Sequence, residues 1–166
     1  MSLDPRVREL IDREAIRETL QRYCRGVDRR DLELLQSVYH PHAWHEHGAY
    51  RRNAREFAAL IVESMGQFLC TSHFLTNQRI ELRGGEADSE SYVLAVHRLE
   101  RDGKEFELVM ALRYLDRFER RDGDWRIAER VAVHDWSREA TVEGSWAEAA
   151  TMIQGRSDRD DRSYRD

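Results

Sequence analysis

Cysteine is scarce in this 166-residue chain: Cys24 and Cys70 are the only two, and their separation matches no metal-binding spacing. They read as free, buried thiols, not as a disulfide framework. Long apolar runs are missing too. No stretch approaches the roughly 20 residues of a membrane span, so no membrane partner is expected. Met1-Ser2-Leu3-Asp4-Pro5 has neither the basic start nor the apolar run of a signal peptide, and the cytoplasm is the expected compartment. A positive surplus is absent: 27 Lys and Arg against 32 Asp and Glu leave a net charge of -5, the wrong sign for a phosphate backbone. No basic patch is interleaved with aromatics, so nucleic acid is not an expected partner. There is no phosphate loop, GxSxG, GxGxxG or thiol–imidazole signature, and no repeat or low-complexity tract.

What is present is a change of period along the chain. Between Pro5 and Val27, Val7, Leu10, Ile11, Ile16, Leu20, Tyr23, Cys24 and Val27 recur at helical spacing, with Asp4 as cap, Pro5 in the first turn and Gly26 loosening the last. Residues 31–38 read as a second, short helix with Leu32, Leu34, Leu35 and Val38 inward. Tyr39-His40-Pro41-His42 breaks it. Residues 43–50 suit a short strand. Asn53 caps a third helix over about 54–69, with Phe57, Leu60, Ile61, Met65 and Phe68 facing in.

The period then falls to two. Strands are predicted over 71–82, 87–98, 105–120 and 125–136, punctuated by Gly84-Gly85, Asp102-Gly103 and Asp122-Gly123. Helices followed by hairpin-linked strands predict an α+β domain over residues 1–144, with helices packed on one mostly antiparallel sheet. Residues 145–166 form a separate tail: a short helix near 145–153, then a polar, charge-dense segment that is frayed or laid against a neighbouring subunit.

Two polar residues carry the sharpest chemical reading. Asp28 closes Tyr23-Cys24-Arg25-Gly26-Val27-Asp28 at the foot of the first helix, and His73 stands in Cys70-Thr71-Ser72-His73-Phe74-Leu75-Thr76-Asn77. Imidazole exchanges protons near neutral pH, and a buried carboxylate is the usual group that orients it. The helix end should lie over the start of the first long strand, bringing the two together. Taken singly, Asp28 reads as a capping carboxylate and His73 as a strand histidine.

Other constellations are weaker. In His40-Pro41-His42-Ala43-Trp44-His45-Glu46-His47, His45 and His47 share one face of an extended chain, as a two-histidine metal site would require. No second ligand cluster completes such a site, so neither metal nor cofactor is expected. Trp44 and one of these histidines are read instead as the mouth of a pocket. His97 on the second long strand and Arg130 on the last stand among small neighbours, as ligand-cavity residues do. His134 reads as a surface residue. Tyr23 and Tyr39 could each point a hydroxyl into a cavity or serve as core.

The order of elements, with residues 23–31, Tyr39-His40-Pro41-His42-Ala43, Ser72-His73-Phe74-Leu75-Thr76-Asn77 and Trp125-Arg126-Ile127, resembles the SnoaL-like branch of the nuclear transport factor 2-like superfamily over about residues 6–137. That resemblance implies a cone-shaped half-barrel, a curved sheet wrapped around three N-terminal helices with a cavity between them, and dimers or trimers. Asp28 and His73 match the Asp–His dyad of hexachlorocyclohexane dehydrochlorinase and the bile-acid dehydratases in that branch, which also includes scytalone dehydratase. Tyr23 looks like the dehydratase tyrosine, and Arg130 is the nearest match to a last-strand arginine. The first-helix lysine of the dehydrochlorinase has no counterpart, since Arg17, Arg22 and Arg25 occupy that region.

The expectation is therefore a cofactor-independent, dehydratase-like β-elimination on a small hydrophobic molecule. Catalysis would fall to His73 and Asp28, and substrate binding to Tyr23, Arg130, Trp44, Tyr39 and His97. The alternatives are isomerase- or polyketide-cyclase-like proton transfer with the same dyad, or a non-catalytic binding or association module. A homo-oligomer is expected, a trimer before a dimer. Phe106, Leu108, Met110, Leu112 and Tyr114 are read as an apolar outer face that another subunit covers.

Overall fold

The computed structural model describes residues 3–144 and 148–164. Helix α1 (Pro5–Asp28) starts where the Asp4 carboxylate accepts the Arg6 N–H at 2.8 Å and Pro5 fills a position that needs no N–H. Its end needs no glycine. Arg30 adopts a left-handed conformation (φ 49°), its N–H donates to the Val27 carbonyl at 3.1 Å, and Asp31 N–H reaches the Gly26 carbonyl at 2.9 Å. These reverse bonds satisfy the last carbonyls and turn the chain into α2 (Leu32–Ser37), which Asp31 caps through Leu34 N–H at 3.0 Å. Gly26 is needed for space rather than looseness: a Cβ there would stand 3.1 Å from the Leu35 backbone.

Helix α3 (Ala54–Ser64), capped by Asn53, is shorter than its apolar pattern suggests because Met65–Gln67 tightens into a 3-10 turn. No described helix is long and apolar enough to cross a membrane.

The sheet has six strands: β1 (Tyr39–His47), β2 (Tyr50–Asn53), β3 (Cys70–Arg83), β4 (Glu86–Arg101), β5 (Lys104–Arg121) and β6 (Asp124–Thr141), in the order β2-β1-β6-β5-β4-β3. Only β1 and β6 run parallel. The Asp-Gly pairs form tight turns with positive φ at both residues, 54° and 70° at Asp102-Gly103 and 53° and 91° at Asp122-Gly123. Pro41, part of the segment that ends the second helix, lies within β1. It falls where the β1–β6 register shifts between Tyr39 and Trp44, so its missing N–H breaks no ladder bond. The sheet is curved and open, the cone expected of the fold, with α1 against its concave face. Ile16, Leu20, Tyr23, Cys24 and Val27 meet Val93, Ala95, Leu112, Tyr114, Phe118 and Ile127 in the core.

Three expectations are corrected. Val7, Leu10 and Ile11 are exposed, because the first turns of α1 reach past the core. Cys70 is exposed, and Cys24 alone is a buried thiol. On β5, Leu108, Met110, Leu112 and Tyr114 face inward, and Phe106 stands on the same side of the strand. Leu112 and Tyr114 are buried, and all four line the interior cavity described below. The uncovered apolar row is instead Phe74, Leu94, Ala111 and Trp136, directly paired across β3, β4, β5 and β6. Phe74 and Trp136 are 53% and 52% exposed.

The tail lies against its own chain over residues 156–164. Arg159 donates twice to the Asp31 carboxylate at 3.2 Å, Tyr164 O–H donates to Asp31 at 2.9 Å, and the Arg25 guanidinium stacks 4.3 Å from the Tyr164 ring centroid. Of the helix expected near 145–153, residues 145–147 lie outside the described residues, and Ala149–Thr151 forms a single 3-10 turn.

Candidate active site

Asp28 is the last residue of α1, where the negative end of the helix dipole disfavours a carboxylate. Donors from β3 compensate. Thr71 O–H donates to Oδ1 at 2.9 Å, His73 backbone N–H to Oδ2 at 3.0 Å, and His73 Nδ1 lies 2.7 Å from Oδ1. A carboxylate only accepts, so Nδ1 carries the proton and Nε2 is left as the basic nitrogen. Among the described residues Nε2 has no hydrogen-bond partner. Period two does the placing: Thr71 and His73 are two apart on one strand and face the same helix end. Thr71 was not picked out in the sequence, although its offset from His73 carried the signal.

His73 stands between two hollows. On the surface, a cleft of about 480 Å³ is bordered by Gln21, Arg25, Asp28, Arg29 and His73. Inside, a cavity of about 220 Å³ lies between α1, α3 and the sheet, with Tyr23, His47, His73, His97 and Tyr114 as its polar walls and residues such as Val27, Phe68, Leu108 and Met110 as its apolar ones. Asp28 borders only the cleft while His73 borders both, so the imidazole reaches from the carboxylate to the cavity. Cys24, on the cleft side, is no nucleophile: burial pushes its thiol up to about 12.

His97 packs edge-on to His73 with centroids 5.6 Å apart and against Phe68 at 4.6 Å. Burial, then the neighbouring His73, lowers its pKa to about 4, so its ring is neutral when the site operates near pH 7. Burial raises the Tyr23 phenol and holds that of Tyr114 well above its ordinary value, leaving both as protonated donors.

The other residues expected at the site fall elsewhere. Arg130 does not line the cavity. It is fully buried, donating through Nε and Nη2 to Asp116 at 2.6 and 2.8 Å, and its guanidinium lies 4.0 and 4.1 Å from the ring centroids of Tyr23 and Tyr114. Burial pushes the Asp116 carboxyl up, but the paired, bidentate bonds identify a charged pair. Arg130 thus supports the two tyrosines from behind, and Asp116, its register partner on β5, was not picked out in the sequence. Tyr39 is also behind the wall, its O–H 2.9 Å from His45 Nδ1. Trp44 is corrected. It alternates with His45, points out of the opposite face of β1, is 49% exposed and does not border the cavity. His47, on the other face of β1, does. His45 and His47 share a face, as expected, with ring centroids 5.9 Å apart. Among the described residues no group of three His, Cys, Asp or Glu is arranged to hold a metal ion.

These buried rings set a pH dependence. Burial lowers the pKa of His97 to about 4, that of His45 well below the ordinary 6.5, and those of His40 and His47 below it. Between about 6.5 and 4 the unfolded chain binds protons that the fold refuses. Stability is therefore expected to fall as pH drops through that window, with His97 contributing on the order of 2 kcal/mol. Urea midpoints at pH 7, 5.5 and 4.5 measure this, and His97→Phe should flatten the slope. Equal slopes in the two proteins would contradict the assignment.

The family profile described as a SnoaL-like domain matches residues 8–131. The chain belongs to the SnoaL-like domain family. A comparison with curated protein sequences finds no match. Among solved structures, a protein of Novosphingobium aromaticivorans provisionally named scytalone dehydratase is similar, at TM-score 0.71 and 22% identity, over 82% of this chain and 93% of that one. Hexachlorocyclohexane dehydrochlorinase LinA-type3 from Novosphingobium barchaimii LL02 aligns at TM-score 0.70 and 23% identity, over 82% and 94%. An NTF2-like protein with a cystatin-like fold, also from N. aromaticivorans, aligns at TM-score 0.63 and 26% identity, over 90% and 93%. The SnoaL-like chain thus has the curved-sheet architecture of the NTF2-like superfamily, and likeness at such identities concerns the fold.

Proposed function

We propose that this SnoaL-like protein is a cofactor-independent lyase that removes water from a small hydrophobic molecule by β-elimination. The observation that carries the reading is the locked dyad: a carboxylate held by three donors, one of them the Nδ1–H of an imidazole that borders a cavity of mixed polar and apolar walls. Neutral His73 takes a proton at Nε2 from a carbon next to a carbonyl, and Asp28 stabilises the imidazolium. Tyr23 or Tyr114 donates to the carbonyl oxygen as it gains enolate charge. The imidazolium then returns its proton to the departing hydroxyl, which leaves as water, and the carbon–carbon double bond forms. The dehydratase and dehydrochlorinase names among the similar structures fit this class of chemistry.

The test is a panel of cyclic and open-chain β-hydroxyketones, followed by the ultraviolet absorbance of the conjugated enone. Enone formation above the uncatalysed rate supports the reading. Binding without turnover across the panel would favour a ligand-binding module. The second reading is isomerisation with the same dyad: the His73 imidazolium, which borders the cavity, returns its proton to a different carbon and no hydroxyl leaves. Double-bond migration in unsaturated ketones without loss of water would select it.

The working form is proposed to be a homo-oligomer. The row Phe74, Leu94, Ala111 and Trp136 leaves apolar surface on the convex face that α1 does not cover. Sedimentation at micromolar concentration should show a trimer or dimer that Leu94→Glu dissociates. A monodisperse monomer would contradict it.

A further inference from the structure

The cavity beside His73 shares part of its wall with a second hollow. His47, Ile61 and Ser64 line both, and the second, of about 550 Å³, lies between the β1–β2 hairpin and α3. The inner chamber, about 220 Å³, falls below the roughly 300–1,000 Å³ of sites for drug-sized molecules, and the outer hollow falls within that range. The floor of the outer hollow is apolar: Phe57, Leu60 and Ile61. Phe57 is fixed by the histidines of β1, with ring centroids 4.1 Å from His45 and 5.7 Å from His47. Leu60 is 39% exposed, an apolar side chain left facing this hollow. At the rim, Arg52 and Glu63 carry opposite charges, so the hollow favours neither sign of ligand. Burial lowers the pKa of His47, and the junction between the chambers is therefore uncharged near neutral pH.

We propose that the substrate is a two-part molecule. Its reacting, oxygen-bearing end, one ring or a short chain, occupies the inner chamber, and an uncharged apolar extension passes between His47 and Ile61 to lie on Phe57 and Leu60. The assignment of the reacting end rests on the function proposed above. The extension site rests on the shared lining residues alone.

Titration calorimetry with n-alkan-1-ols from butanol to decanol tests it. In the wild type, affinity should rise about three- to fourfold per methylene through the whole series, the value for burying one methylene. Ile61→Trp, which narrows the junction, should halt the rise near hexanol and weaken decanol binding at least tenfold. Leu60→Glu, at a position 39% exposed and outside the inner chamber, should leave butanol unchanged and weaken decanol alone. His73→Ala should leave the rise of affinity with chain length unchanged, because that side chain lines the inner chamber and not the outer hollow. A wild type that plateaus at hexanol, or a Leu60→Glu variant that matches wild type at every length, would overturn the two-chamber site even with the dyad chemistry intact. A normal length series with undiminished turnover in His73→Ala would instead overturn the dyad and leave the extension site standing.

Discussion

His73→Ala is expected to lower turnover by about 10³-fold or more while preserving the thermal midpoint and ligand binding. General base catalysis by a positioned imidazole supplies roughly 10²–10⁴ in rate, and no neighbour can replace it. His97 packs against His73, but its pKa of about 4 makes it a weak base, and among the described residues no carboxylate is bonded to its ring. Asp28→Asn should come close to the same loss. The amide keeps the shape, but it removes the charge that stabilises the imidazolium and sets an NH₂ donor where an oxygen accepted from Thr71 O–H or the His73 N–H groups. Because that charge matters only as the imidazole gains its proton, kcat should fall with little change in KM. Parallel steady-state kinetics of the two variants check this, and an Asp28→Asn enzyme with wild-type kcat would remove the carboxylate from the mechanism.

The second large effect is on stability. Asp116→Ala should destabilise the fold by about 3–5 kcal/mol, because it leaves the Arg130 guanidinium buried between two phenol rings with no counter-ion. For a domain of this size each kcal/mol moves the midpoint by about 2–4 °C, so a fall of roughly 10 °C or more is expected in a calorimetric scan. Removing both charges, as Asp116→Leu with Arg130→Met, should recover most of that loss, since an apolar pair avoids the desolvation that the ion pair must offset. A double variant no more stable than Asp116→Ala would show that the pair contributes through shape instead.

Much of the fold was legible because local signals agreed with one another. Asp4 and Asn53 cap their helices as read, Asp31 turns out to be the cap of the second helix instead of its first residue, and the Asp-Gly pairs form the turns that their chemistry favours. Sheet faces were harder to read. β5 is apolar on both sides, and a period of two separates its faces without saying which one meets α1. The inward turn of Leu112 and Tyr114 therefore depends on tertiary packing. The same limit applied to β1, where the face that includes His45 is buried and Trp44 is left outside. At the site, Asp28 and His73 were legible through spacing and resemblance, whereas Arg130 was read as a ligand residue. Its partner Asp116 lies on the neighbouring strand, and only the β5–β6 register brings the two together.

The central claim is that His73 removes a proton from carbon, and hydrogen–deuterium exchange at carbon tests it without any need for the leaving group. A cyclic ketone that fits the inner chamber is incubated in D₂O with wild type, Asp28→Asn or His73→Ala, and incorporation at the carbon next to the carbonyl is followed by NMR. The account predicts enzyme-dependent incorporation in the wild type, strongly slowed by Asp28→Asn and reduced to the solvent rate by His73→Ala. Incorporation by His73→Ala at the wild-type rate would contradict it.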